Sequence, residues 1–207
     1  MSGSLSIFYF LILIFSIVVH EVAHGLAAEK EGDPTARMLG RITLNPLKHI
    51  DWVGSVILPF ILIISNAGFV IGWAKPVPYN ENNLKRGNKS VAWVAIAGIL
   101  VNLGLAVLFS ILLRVMVATG TATPAIAEIA SIVVLVNIML AFFNAIPLAP
   151  LDGFRFLSAV LPRRTEPTMR LIEQYSLPLL FVFIIFGWKV IAPFVFVLFS
   201  LLTGLAI

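Results

Sequence analysis

Residues 5–27 read LSIFYFLILIFSIVVHEVAHGLA, and the reading of this stretch decides the fold. It is apolar up to His20 and, at about 1.5 Å per helical residue, long enough to cross a ~30 Å hydrocarbon core. A secretion signal fits poorly, because no Lys or Arg precedes the run and no small-x-small cleavage site comes after it. The run leads instead into His20-Glu21-Val22-Ala23-His24. On a helix, positions four apart share a face, so both imidazoles can bind one metal ion. Glu21 is offset by one residue, near enough to act on a metal-activated water without being a ligand. Chance explains the pattern badly. The chain has three histidines and 10 acidic residues among 207. Two of the former and one of the latter fall here, inside an apolar helix where ionisable groups are costly and usually functional.

The rest of the chain agrees with a membrane protein. Hydrophobic residues make up 60% and charged residues 12%, and the mean hydropathy is +1.04. Soluble domains are nearer a quarter charged, because water must wet their surface. No polar stretch is long enough to form a separate soluble domain, so residues 1–207 read as a single membrane-embedded domain in contact with the bilayer, with no nucleic-acid partner expected. The absence of cysteine excludes disulfides, thiolate metal sites and cysteine nucleophiles.

Working outward, apolar segments fall at about 5–27, 52–72, 90–113, 129–149 and 177–207. Gly187-Trp188-Lys189 interrupts the last, which predicts a helix pair, about 177–188 and 190–207. The basic residues cluster in three loops. They are Lys30, Arg37, Arg41 and Lys48; Lys75, Lys85, Arg86 and Lys89; and Arg155, Arg163, Arg164 and Arg170. If every segment crossed the membrane, the first two loops would face opposite sides, against the positive-inside rule. A 52–72 segment that enters and leaves on one side removes the conflict, and Pro59 and the Asn66-Ala67-Gly68 break permit it. All three loops then become cytoplasmic. After this segment, Gly72 to Tyr79 carries Pro76 and Pro78, which exclude a helix interior and predict a short extended interfacial stretch.

A catalytic zinc site usually has three protein ligands and a water. No third histidine stands at the spacing of soluble zinc proteases, and Glu29 and Glu31 lie in a charged loop that reads as solvated. Asp152 is the better candidate. It ends the run Asn144-Ala145-Ile146-Pro147-Leu148-Ala149-Pro150-Leu151-Asp152-Gly153, where two prolines break the preceding helix. With the N-terminus outside, His20 lies about 22 Å along its helix from Leu5. It is therefore nearer the cytoplasmic face, and the 129–149 helix, running in the same direction, delivers Asp152 to that face too. His49, between Lys48 and Asp51, reads as a solvated or interfacial residue, and Gly98 and Gly104 as points of close helix packing.

Taken together, His20-Glu21-x-x-His24 and the Asn144…Pro147…Leu151-Asp152-Gly153 stretch resemble the site-2 protease family of intramembrane metalloproteases. The likeness extends to Asn45-Pro46-Leu47, to Gly72-Trp73-Ala74-Lys75-Pro76-Val77-Pro78 and to Gly98-Ile99-Leu100-Val101-Asn102, and so covers about 17–160. Where relatives often have proline after the glycine of the Gly-x-x-x-Asn motif, this chain has Ile99. The resemblance is to a minimal form, without a PDZ-like insertion or a cystathionine-synthase-type domain. It implies one Zn2+ per chain held by His20, His24 and Asp152, Glu21 as general base, and a three-helix catalytic core from 5–27, 90–113 and 129–149. It also implies peptide-bond cleavage in or near transmembrane segments of other membrane proteins, and, with the compact form, a prokaryotic plasma membrane with the active site toward the cytoplasm.

The fold expected is thus an all-α polytopic membrane protein: a three-helix core, a membrane-inserted segment (re-entrant or, as the alternative, an ordinary span with weak charge bias), a C-terminal helix pair and a short extended segment beside the active site. Asn144 and Asn102 sit in membrane helices, where an amide must find a partner. They read either as substrate contacts or as interhelical bonds. Trp73 and Pro76 are candidate substrate contacts, if the extended segment holds an unwound peptide by strand addition. Two other readings compete. A non-catalytic zinc protein would not need Glu21, and an ion or proton transporter would be expected to show inverted repeats, of which none is visible.

Overall fold

The computed structural model describes residues 3–65 and 72–205. Its helices are α1 (Gly3–Lys30), α2 (Thr35–Met38), α3 (Leu58–Ile64), α4 (Asn88–Ala118), α5 (Pro124–Asn144), α6 (Asp152–Val160), α7 (Glu166–Gln174), α8 (Ser176–Val182) and α9 (Trp188–Thr203). Among the described residues there is no β-strand. Four helical stretches are long and apolar enough to cross a membrane: Phe8–Lys30, Asn88–Ala118, Pro124–Asn144 and Ser176–Thr203. The protein is an all-helical membrane protein.

Its centre is α4, which packs against α1, α5, α6 and α9. One stripe of α4, at a spacing of four, is inward-facing throughout: Ser90, Val94, Gly98, Asn102, Ala106 and Ser110. Apart from Val94 and Asn102 these are small residues, which let neighbouring helices approach closely where lipid supplies no hydrophobic drive for association. Two apolar clusters bracket the middle of the stripe. Ala27, Ala28, Leu84 and Val94 form one; Ala106, Val134, Ile138, Val195 and Phe199 form the other. Gly98 and Asn102 lie between them.

Local signals set the helix ends. Thr123 accepts from Ile126 N–H at 3.3 Å and Pro124 occupies the first turn of α5, a pairing that suits a helix start. Gly204, at φ 77°, ends α9 in the left-handed conformation, while Arg114 donates to the Leu201 and Leu202 carbonyls, both at 2.6 Å.

The described part of the 52–72 segment is short. Its π-helical turn Trp52–Ile57 and α3, of 6 and 7 residues, together rise only about 20 Å. Trp73 N–H donates to Gly54 O at 3.2 Å, and Ser55 Oγ donates to Trp73 O at 2.8 Å. The chain at Trp73 therefore lies beside Gly54 and Ser55, the arrangement that a segment entering and leaving on one side needs. The Asn66-Ala67-Gly68 break lies outside the described residues.

The C-terminal segment departs from expectation. The two α segments, Ser176–Val182 and Trp188–Thr203, are joined without a turn by the π segment Phe183–Gly187, so they run on as one 28-residue helix. The Phe183 ring covers Gly187. Gly-Trp-Lys lowers helix propensity without breaking the helix, since only proline removes a donor.

The three basic loops meet at one end of the bundle. Lys85 N–H donates to Glu31 O at 2.9 Å, and Arg86 pairs with the Glu31 carboxylate. Arg41 donates to Lys75 O at 2.8 Å, and Asp33 accepts from Asn80 N–H at 2.7 Å and Asn83 Nδ2 at 2.8 Å. The Arg155 guanidinium lies over the Tyr79 ring. Glu31 and His49 are accordingly buried rather than solvated, and Arg86 holds the Glu31 carboxyl below the usual carboxylate range.

Candidate active site

His20 and His24 lie on the buried face of α1, at 5% and 8% exposure, with Ser16 one turn earlier on the same face. Just beyond His24, Gly25 fits against Val77 and Ala36. The histidines need room on α4, and Gly98 supplies it. A Cβ at Gly98 would stand 2.5 Å from both His20 Cε1 and His24 Nε2.

Asp152 arrives from the other side. α5 ends at Asn144, the chain turns through Pro147 and a cis Ala149–Pro150 bond, and Asp152 is the first residue of α6. Gly153 makes the turn possible, since a Cβ there would come within 2.2 Å of Ala145 O. Asp152 Oδ2 then lies 3.0 Å from His20 Nε2 and 3.2 Å from His24 Nε2. The two Nε2 atoms are 3.1 Å apart.

The partners on the far side of each ring decide which atoms of this triangle carry protons. His24 Nδ1 is 2.7 Å from Val94 O, and His20 Nδ1 is 2.6 Å from Asn102 Oδ1. With both ring protons on Nδ1, the two Nε2 atoms and Asp152 Oδ2 are three acceptors facing one another, and Oδ2 is buried without a hydrogen-bond partner. Three converging lone pairs repel unless a cation sits among them. Ligands ~2.0–2.1 Å from a tetrahedral ion stand about 3.3 Å apart. The donor set, two imidazole nitrogens and one carboxylate oxygen, suits zinc in a catalytic site with one position open. Among the described residues, His20, His24 and Asp152 form the group that offers such atoms.

A cavity of about 100 Å³ opens beside the triad, lined by Glu21, Pro76, Val77, Tyr79, Ala95, Asn144, Pro150 and Arg155 as well as the three ligand candidates. Glu21 Oε2 accepts from Val77 N–H at 2.8 Å. That bond steers the carboxylate from outside α1 and leaves its other oxygen uncommitted. Pro76, Val77, Tyr79, Pro150 and Arg155 also border a wider groove of about 670 Å³ between the extended segment and α6–α7.

The other expected residues separate. Asn144 lines the cavity and donates to Leu140 O at 3.0 Å. Pro76 lines it too, with its carbonyl held by Arg41 at 3.2 Å. Asn102 does not reach the cavity. It is 0% exposed, behind His20, so of its two readings the structure takes the interhelical one. Trp73 is not a lining residue; it lies over Gly54, where a Cβ would meet the indole at 2.3 Å. Sequence reasoning missed Asn137, which accepts from Asn102 Nδ2 at 2.7 Å, and Ser16, which accepts from Asn137 Nδ2 at 3.0 Å. The signal was present: an amide inside an apolar span, and a serine four residues before His20.

Comparison with known proteins points the same way. The sequence model of peptidase family M50 matches residues 114–187, which include Asp152. The Bacillus subtilis (strain 168) protein named "Putative zinc metalloprotease YwhC" is 39% identical over 169 residues, covering 79% of this chain and 74% of that protein. The Mycolicibacterium smegmatis protein named "Putative zinc metalloprotease Rip2" is 30% identical over 180 residues, covering 83% of this chain and 64% of that protein. No solved structure gives a significant match.

Proposed function

The chain belongs to peptidase family M50, and from that premise we propose that it is a zinc-dependent intramembrane endopeptidase, cutting peptide bonds in or near transmembrane segments of other membrane proteins. The observation that carries the reading is the triangle of two imidazole nitrogens and one carboxylate oxygen, 3.0 to 3.2 Å apart, inside an apolar bundle. His20, His24 and Asp152 would hold the zinc. Bound there, zinc polarises a scissile carbonyl and makes a water acidic enough to lose a proton near neutral pH.

The remaining work falls to the chain's own residues. The free Glu21 oxygen takes the water's proton and returns it to the departing amide nitrogen. Val77 N–H keeps that carboxylate turned toward the cavity rather than along α1. The Asn144 amide lines the cavity at the end of α5 and stands where a substrate carbonyl can be met. A helical substrate hides its carbonyls in its own hydrogen bonds and must unwind before attack, and the extended Pro76–Tyr79 stretch lies beside the cavity for the unwound strand to lie along. Water reaches the site from the end where the basic loops gather, which we assign to the cytoplasm on the positive-inside rule.

The test compares wild type with Glu21→Gln for bound zinc and for cleavage of a panel of single-span membrane proteins. Both should hold about one zinc, and the variant should cut roughly 10²–10⁴-fold more slowly. A wild type without zinc sinks the proposal, and a Glu21→Gln protein that cuts at the wild-type rate removes Glu21 from it.

A further inference from the structure

His20 and His24 turn the same ring nitrogen toward Asp152, but they are held by different means. His24 Nδ1 faces the Val94 carbonyl at 2.7 Å. A peptide carbonyl only accepts, so the proton sits on Nδ1 and Nε2 keeps its lone pair. His20 Nδ1 faces an amide, Asn102, at 2.6 Å. An amide presents an acceptor or, turned over, a donor. That pair alone leaves the tautomer of His20 undecided.

The decision is made on α5. Asn102 is 2.7 Å from Asn137, and Asn137 is in turn 2.9 Å from the carbonyl of Val133 and 3.0 Å from Ser16 Oγ. The Val133 carbonyl cannot donate, so the group facing it must be the NH₂ of Asn137. Asn137 Oδ1 then points at Asn102, which must answer with its own NH₂. Asn102 Oδ1 is thereby turned to the ring, and His20 has to donate from Nδ1. Reversing either amide sets two acceptors or two donors against each other. Both amides are 0% exposed, so a mismatch there would leave buried polar groups unpaired.

We infer that Asn137 is a positioning residue of the metal centre: through Asn102 it fixes the tautomer of His20, so that the Nε2 lone pair is presented beside Asp152. This inference rests on the metallopeptidase reading. It extends that reading by a residue that lies neither in the His-Glu-x-x-His motif nor in the cavity. Ser16 is a secondary partner, since the Val133 carbonyl alone sets the polarity.

The test uses an isosteric pair in the full-length protein. Asn137→Thr keeps a hydroxyl able to donate to the carbonyl four residues back and to accept from Asn102, whereas Asn137→Val has the same shape and neither ability. Zinc affinity is read by chelator competition. The Nδ1–H resonances are read on zinc-loaded, histidine-labelled protein, where only three histidines contribute and His24 is the internal control. Asn137→Val should bind zinc about 10- to 100-fold more weakly, with the His20 resonance displaced and that of His24 unmoved. Asn137→Thr should stay within about threefold of wild type. Equal affinities for the two variants overturn the inference, as does a displacement shared by both histidines, which means general loosening. If Asn137→Val does not fold, wild type decides: both imidazoles must bond zinc through Nε2 with the proton on Nδ1, and a His20 bonded through Nδ1 overturns the inference. A wild type that takes no zinc brings down the metallopeptidase reading together with the inference; zinc binding with indistinguishable variants brings down the inference alone.

Discussion

The C-terminal helix Ser176–Thr203 and the three spans around the candidate metal site are all long and apolar, yet they stand differently in the molecule. Between 28% and 39% of the most apolar windows of the three core spans is buried in protein, against 6% for the C-terminal helix. Phe181, Phe186, Val190, Phe194 and Leu201 stand exposed along it, while α4 turns a whole stripe of small and polar side chains inward. The difference shows what the core is for. Lipid solvates apolar side chains as well as protein does, so a helix with only such side chains has little reason to be enclosed. A helix carrying His, Asn and Ser has every reason, because its polar groups must find partners within the protein.

The contrast between core and periphery can be broken at Gly98. Gly98→Ala places a methyl group 2.5 Å from atoms of both imidazoles and should cost more than about 100-fold in zinc affinity. Gly104→Ala, on the same helix with nothing within 4 Å of its Cβ, should bind zinc as wild type does. Measured zinc content distinguishes them, and equal binding would show that α4 is not pressed against the ligands.

A smaller effect is expected at the extended segment. Val77→Pro deletes one N–H in an already proline-flanked stretch and so releases Glu21. A hydrogen bond to a charged group is worth about 1.5–3 kcal/mol, so cleavage should slow by roughly 10- to 100-fold with zinc content unchanged. Loss of zinc instead would mean that the segment supports the ligands rather than the base. The smallest effect belongs to the C-terminal helix. Leu201→Ala, at a side chain 68% exposed, should shift stability by less than about 0.5 kcal/mol and leave zinc affinity alone. A large loss in thermal denaturation would place an unseen partner against that face.

Much of this was legible in the chain. The spacing of His20 and His24 and the helix break before Asp152 come from residues adjacent in sequence, and the gathering of the basic loops from the distribution of charge. The prolines likewise forecast the extended stretch. Where the reading fell short, the deciding partner lay far along the chain. Glu31 and His49 are polar residues in a polar loop, and only the closure of that loop on 73–90 buries them. At 183–187 the expected break is absent because glycine weakens a helix without ending it, and the Phe183 ring covers the gap.

By itself, then, the sequence determined the membrane class, three candidate metal ligands and a charge pattern that groups the basic loops. These depend on helical period, proline and charge, which act locally or through the membrane as a whole. Only the tertiary structure decided that Asn102 serves His20 rather than a substrate, that Val77 steers Glu21, and that Asn137 stands behind both amide and ligand. Those partners are separated by 82, 56 and 35 residues, and a hydrogen bond across helices is chosen by which faces meet, a property no single segment contains.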